Sequence, residues 1–182
     1  MANFAFPPTT KHPSIVTRPD CDFVNGQLRE RTFGEYDHGR VQIALGAMLF
    51  AKQREWRIRV ATEVRLQVGE HRSRVTDICV HAADAPIEQI VRHPPILCIE
   101  VLSPDDRIAD IRDRISDYAE MGVARTWLID FLSRSVIVCA SKTTVEHSGG
   151  VLQVLGTSIR LSVPEIFHVL DEGEDEDVKT GS

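Results

Sequence analysis

Lysine is scarce in this sequence of 182 residues: Lys11, Lys52, Lys142 and Lys179 are all there are, and none falls between Asp77 and Asp130. Chemistry in that central span must therefore do without an amine. Paired cysteines are missing too. Cys21, Cys79, Cys98 and Cys139 show no C-x-x-C and no Cys/His ligand spacing, which argues against a zinc ribbon and favours buried, reduced thiols. No apolar run approaches the roughly 20 residues that cross a bilayer, and prolines 7, 8, 13 and 19 break any secretory leader. A soluble, cytoplasmic protein is expected. There is no phosphate loop, no dinucleotide fingerprint and no internal repeat. A surplus of positive charge is absent as well. Of the net charge of -6, the last twelve residues carry -5, so the rest holds 21 acids against 20 bases. This is not the strongly basic chain of many nucleic-acid binders.

What is present is one domain's worth of chain with an ordinary 42% hydrophobic fraction. Residues 1–20 read as an irregular, proline-rich arm, 21–170 as the folded domain, and 171–182 as an acidic disordered tail. Asn25-Gly26 between short apolar pieces predicts a hairpin. From Asp37, a plausible N-cap, to about Glu55 the pattern is helical. Val41, Ala44, Leu45, Met48 and Leu49 form the inward stripe, widened by Ile43, Ala47 and Phe50. Alternation over Ile58–Val68 predicts a half-buried strand with Val60, Thr62, Val64, Leu66 and Val68 on one face, and Arg74–His81 predicts a second. Residues 82–93 read as a polar loop.

The most apolar run, Ile96–Leu102, reads as a strand buried on both faces. Glu100 shares one face with Ile96, Cys98 and Leu102. Ser103 as N-cap, Pro104 at the first position and Asp106 three residues on predict a helix start. Its stripe is Ile108, Ile111, Ile115, Tyr118 and Ala119, and Gly122 ends it. Strands follow at Thr126–Phe131 and Ser135–Ala140, weaker ones at Val151–Leu155 and Ile159–Leu161, and a short closing helix at Pro164–Leu170. The order implies an α/β fold with a mixed sheet flanked by helices, parallel where the crossover helix intervenes.

Two carboxylates stand in neighbouring strand patterns, Asp77 and Glu100. If they converge, they form a hard-oxygen site for Mg²⁺ or Mn²⁺. The alternative is that Asp77 is solvated and Glu100 pairs with an arginine. On the crossover helix, Arg107, Asp110, Arg114 and Asp117 lie along one edge of the stripe. That edge can look toward Glu100, or its residues can simply pair with each other at i,i+3 and i,i+4. His38 is either a helix-start residue or an aid to the site. Glu63 reads as solvated, and Trp56 and Trp127 as packing.

The ordered set Val24-Asn25-Gly26-Gln27-Leu28, His38, Val75-Thr76-Asp77, Glu100-Val101-Leu102-Ser103-Pro104, then Asp110, Arg114, Tyr118, Gly122-Val123 and Trp127-Leu128-Ile129-Asp130, resembles the Uma-type restriction-endonuclease family. That family lies within the PD-(D/E)XK nuclease superfamily. The resemblance runs from about Phe23 to Leu170. It implies a restriction-endonuclease-like core, Mg²⁺-dependent hydrolysis of DNA phosphodiester bonds, and Asp77 and Glu100 as metal ligands. His38 and Glu30 would be auxiliary, Glu30 because Gln27 stands where the family has a glutamate. The superfamily lysine two residues after the acid is Leu102 here. The Uma-type lysine on the next helix is Arg114, which can clamp a phosphate and stabilise charge but cannot act as a base. Lys52 is the only lysine on the first core helix. A degenerate nuclease fold that binds DNA or a protein partner is the alternative implied by these departures. A homodimer would suit duplex cutting.

Overall fold

The computed structural model describes residues 21–24, 27–30, 35–140 and 143–171. The expected arm, the Asn25-Gly26 turn and the tail from 172 lie outside them. Asp171, expected to open that tail, belongs to the fold, where Arg134 Nη1 holds its carboxylate at 2.5 Å. No helix among the described residues is long and apolar enough to cross a membrane.

The elements are β1 (Cys21–Val24), β2 (Gln27–Glu30), α1 (Tyr36–Ala51), α2 (Gln53–Trp56), β3 (Ile58–Gly69), β4 (Arg72–Ala82) and β5 (Leu97–Val101). Next come α3 (Ile108–Met121), β6 (Thr126–Asp130), β7 (Ser135–Ala140), β8 (Thr143–His147), β9 (Val151–Gln153), β10 (Arg160–Ser162) and α4 (Val163–Phe167). A 3-10 turn closes the fold at His168–Leu170. Eight strands form one sheet in the order β2-β1-β4-β5-β6-β7-β8, with β3 also paired to β4. The β5–β6 pair is parallel, as a crossover through α3 requires, and the other pairs are antiparallel. The mixed sheet is therefore as expected. The two-residue hairpin register, Val24 opposite Gln27, also matches.

Each face of the sheet is covered by a helix. On one face Val41, Leu45 and Leu49 of α1 pack with Ile78, Val80, Leu97, Ile99 and Trp127, and α4 closes that layer with Ile166 and Phe167. On the other, Tyr118 of α3 packs with Cys79, Cys98, Leu66, Val91 and Val123. Strand β5 is buried along its whole length because it lies between these two layers. The division between Leu97/Ile99/Val101 and Cys98/Glu100 follows strand alternation.

Several local expectations fail for identifiable reasons. Glu35, not Asp37, occupies the N-cap position of α1 and makes no side-chain cap; Asp37 sits in the first turn. The helix ends at Ala51, and Lys52 separates it from α2. Ile43, Ala47 and Phe50 do not widen the buried stripe. They face outward, Ile43 at 71% and Phe50 at 63% exposure, while the opposite side of α1 packs on the sheet, α4 and the His168–Leu170 turn. The α3 helix starts at Ile108 instead of Pro104. Asp106 accepts from the Ser103 N–H at 2.8 Å, and its own N–H donates to the Ser103 carbonyl. Those bonds close a turn, and Arg107 follows in an extended conformation. Ile108 and Ala119 are exposed, so the inward face of α3 is shifted toward Asp117 and Tyr118. Gly122 does end the helix, at φ +99, with Val123 N–H to the Tyr118 carbonyl and Gly122 N–H to that of Ala119, a Schellman closure. The edge strand β8 went unforeseen, since Thr143–Glu146 is exposed and carries no alternation.

Strand β3 changes face in mid-course. Ile58 and Val60 pack with the α1 layer, whereas Val64, Leu66 and Val68 pack with the α3 layer. Strict alternation puts all five on one side. The switch is Glu63, whose φ is +54. Gln42 of α1 donates to its Oε1 at 2.9 Å, so Glu63 and its neighbour Thr62 both face α1. A left-handed residue in a strand inverts the alternation after it, at a cost of about 1–3 kcal/mol.

Candidate active site

The site forms where β4 and β5 part. Their register places Ile78 opposite Ile99 and Cys79 opposite Cys98, which carries Asp77 to the level of Glu100. There the ladder gives way to a side chain: Asp77 Oδ2 accepts the Val101 N–H at 2.8 Å. The same oxygen lies 3.5 Å from His38 Nε2, in the first turn of α1. Asp77 is 3% exposed, as is Glu100.

Glu100 faces α3. Arg114 Nη1 donates to its Oε2 at 2.5 Å, and the Tyr118 hydroxyl donates to its Oε1 at 2.5 Å. Arg114 and Tyr118 are four residues apart, so one helical face delivers both. Burial pushes the Glu100 carboxyl up to about 7; the Arg114 charge opposes that rise and the Asp77 carboxylate adds to it. Arg114 is held protonated, chiefly by Glu100. Tyr118 is driven well above its ordinary value by burial and by the neighbouring Glu100 charge. A cavity of about 30 Å³, room for a water or two, opens beside Glu100 between Leu102, Asp106, Asp110, Ile111 and Arg114.

Arg114 is anchored a second time. Its Nη2 lies 3.4 Å from Asp22 Oδ2 on β1. Asp22 in turn accepts from the Val75 N–H at 2.9 Å and from Arg74 Nη1 at 3.0 Å. Arg74 Nε donates to Asp117 Oδ2 at 2.6 Å, and Arg72 also bonds Asp117. Asp22, Arg74 and Asp117 are all buried, so a paired charge network ties the N-terminal hairpin to α3 behind the site.

Of the residues singled out in the sequence, the fold pairs Asp77 with His38 on the α1 side and Glu100 with Arg114 on the α3 side, with the two acids at the same level of adjacent strands. The reading in which Arg114 only pairs along its helix fails: it turns inward to Glu100, while Asp110 faces outward to Arg29 at 3.5 Å. Arg107 is exposed. The Glu30 side chain lies outside the described residues. Lys52 cannot complete the site. It bonds Glu55 at 2.8 Å at the end of α1, fourteen residues or about 20 Å from His38 by helical rise. Glu63 is not merely solvated. It stands between the register pairs Thr62–Ile78 and Val64–Thr76, hence across from Asp77, and the Gln42 amide bridges it to the Asp77 carbonyl at 3.2 Å. Sequence reasoning also missed Asp22 and the role of Tyr118. The four-residue step from Arg114 signalled Tyr118; nothing local signalled Asp22.

A mixed sheet between two helical layers, with an acid at the β4–β5 divergence and an acid–arginine pair beneath the crossover helix, defines a restriction-endonuclease-like domain. The family model described as "Uma2: Putative restriction endonuclease" matches residues 12–168, and the chain belongs to that family. Among solved structures it is similar to one titled as a "putative nuclease belonging to DUF820" from Anabaena variabilis. The TM-score is 0.74 at 22% identity, covering 85% of this chain and 93% of that one. No curated protein sequence matches it.

Proposed function

We propose that this protein is an endonuclease that hydrolyses DNA phosphodiester bonds with Mg²⁺ or Mn²⁺. The observation that carries the reading is that Asp77 and Glu100 stand at the same level of two adjacent strands, both buried, with an arginine on the second acid. Among the described residues no three His, Cys, Asp or Glu side chains form a metal cage. Mg²⁺ does not need one. It is commonly held by one or two carboxylates, with waters and substrate phosphate supplying the rest, and the hard-oxygen pair here fits that demand. Each carboxylate oxygen has two lone pairs, so the bonds from Arg114, Tyr118 and Val101 leave acceptor capacity.

Asp77 and Glu100 would hold the ion. When bound, such an ion polarises a phosphoryl oxygen and lowers the pKa of a water. Arg114 stabilises charge developing on the phosphate and does not take up a proton. His38 orients the Asp77 carboxylate, and the Asp22 anchor fixes the guanidinium. Cutting both strands of a duplex would be served by a two-fold homodimer, seen as a doubled mass in sedimentation.

A second reading is favoured by one feature: both oxygens of Glu100 are already engaged by Arg114 and Tyr118. In that reading the fold binds DNA or a protein without cutting. Plasmid and single-stranded DNA cleavage with Mg²⁺ and Mn²⁺, wild type against Glu100→Ala, separates the two. The nuclease reading expects metal-dependent cleavage that falls roughly a hundredfold or more in the variant. Equal activity in both proteins, or none at high enzyme concentration, overturns it.

A further inference from the structure

We propose that Cys79 and Cys98 are a cross-strand thiol pair that closes to a disulfide when the protein meets a peroxide. The two are direct register partners on β4 and β5. The kind of pair they form follows from the hydrogen bonds of β5. Cys98 N–H donates to the Arg125 carbonyl and Leu102 N–H to that of Ile129, both toward β6. Amide directions alternate along a strand, so the amides of Leu97, Ile99 and Val101 point toward β4. Cys79 and Cys98 therefore occupy a non-hydrogen-bonded position. Such pairs bring their Cα atoms to about 4.5 Å, inside the roughly 4.4–6.8 Å range that a disulfide spans. Both side chains join the layer under α3.

Both sulfurs are buried, and the approach runs through His81. Its Nε2 is 3.0 Å from Cys79 Sγ. The ring lines a cavity of about 200 Å³ shared with Val60, Val64, Pro86, Ile87 and Val91. Hydrogen peroxide is scarcely larger than water and can reach the sulfur from there. In the first step the Cys79 sulfur attacks one peroxide oxygen. The S–O bond forms as the O–O bond breaks, and the departing oxygen takes up the thiol proton by way of His81 and leaves as water. In the second step the Cys98 sulfur attacks the Cys79 sulfenic acid. The S–S bond forms, the S–O bond breaks, and the hydroxyl leaves with the Cys98 proton as water. Two thiols lose two electrons and one peroxide gains them.

This inference stands apart from the nuclease reading, because neither the bond nor its detection involves DNA or a metal. The full chain is reduced, freed of reductant, treated with hydrogen peroxide, alkylated under denaturing conditions and mapped by peptide mass spectrometry. The expected result is the loss of two alkylatable thiols and the appearance of a Cys79–Cys98 peptide that dithiothreitol abolishes. Cys98→Ser should instead accumulate a sulfenic acid at Cys79, trapped by dimedone, and His81→Ala should slow the loss of thiols about tenfold. Full alkylation of both cysteines after peroxide, or linkage of either one to a different cysteine, overturns the proposal. The wild-type map decides the matter even if a variant folds poorly.

Discussion

Arg114 Nη1 lies 2.5 Å from Glu100 Oε2, and its Nη2 reaches Asp22 on the N-terminal hairpin. One guanidinium thus joins the central strand to the edge of the sheet. Arg114→Ala leaves the buried Glu100 carboxylate without its cation. We expect a loss of about 2 kcal/mol in urea unfolding, since a hydrogen bond to a charged group contributes roughly 1.5–3 kcal/mol. Arg114→Lys keeps the charge but gives up the second contact, and should recover about half of that loss. If Arg114→Ala unfolds at the wild-type midpoint, the contact contributes nothing to the fold.

The Glu100 carboxyl, pushed up to about 7 from 4.5, sets a pH dependence for the metal-free protein. A raised carboxyl pKa means that the folded chain holds its proton more tightly than the unfolded chain. Its stabilising contribution is complete below pH 4.5 and is lost as pH rises through about 7, a decline on the order of 3 kcal/mol. Urea unfolding of wild type and Glu100→Gln across this range isolates the effect. The difference between the two should grow from pH 5 to 7 in favour of the variant. A constant difference contradicts the assignment. Mg²⁺ or Mn²⁺, by favouring the ionised form, should flatten the wild-type decline.

How much could be read beforehand follows the reach of local pattern. Strand β5, the adjacency of the strands that carry Asp77 and Glu100, and the Gly122 helix stop were legible, because alternation and turn chemistry act over a few residues. The inward turn of Arg114 was not. On periodicity alone it lay at the edge of an isoleucine stripe, and only the buried anions Glu100 and Asp22 make that edge the inside. Ile43 and Phe50 misled in the opposite sense. Their spacing suits burial, but none of the described residues covers that side of α1. Glu63 could not be foreseen, since no sequence rule places a left-handed glutamate in the middle of a strand.

The Asp22–Arg74–Asp117 network predicts a severe single substitution. Arg74→Met removes a cation that touches both buried acids. Breaking a buried pair from one side typically costs about 3–5 kcal/mol. Equilibrium unfolding should show a loss of that order, and Asp22→Asn combined with Arg74→Met should be less destabilised than the sum of the two single changes. Strict additivity would mean that the acids do not depend on Arg74.

Glu63 supplies the last prediction. Its φ of +54 is carried by an L-residue that gains a hydrogen bond from Gln42 in return. Glycine at this position relieves about 1–2 kcal/mol of left-handed strain and forfeits an exposed hydrogen bond of about 0.5–1.5 kcal/mol. Glu63→Gly should therefore unfold close to wild type or slightly above it. Valine is β-branched, cannot accept from Gln42 and resists positive φ, so Glu63→Val should fall about 2 kcal/mol lower. If valine were tolerated as well as glycine, the face switch of β3 would not depend on this backbone angle. Because Gln42 also bonds the Asp77 carbonyl, Glu63→Gly also tests the site. Its stability should hold while DNA cleavage drops several-fold, as the Gln42 amide that bonds the Asp77 carbonyl loses the side chain that helps to orient it.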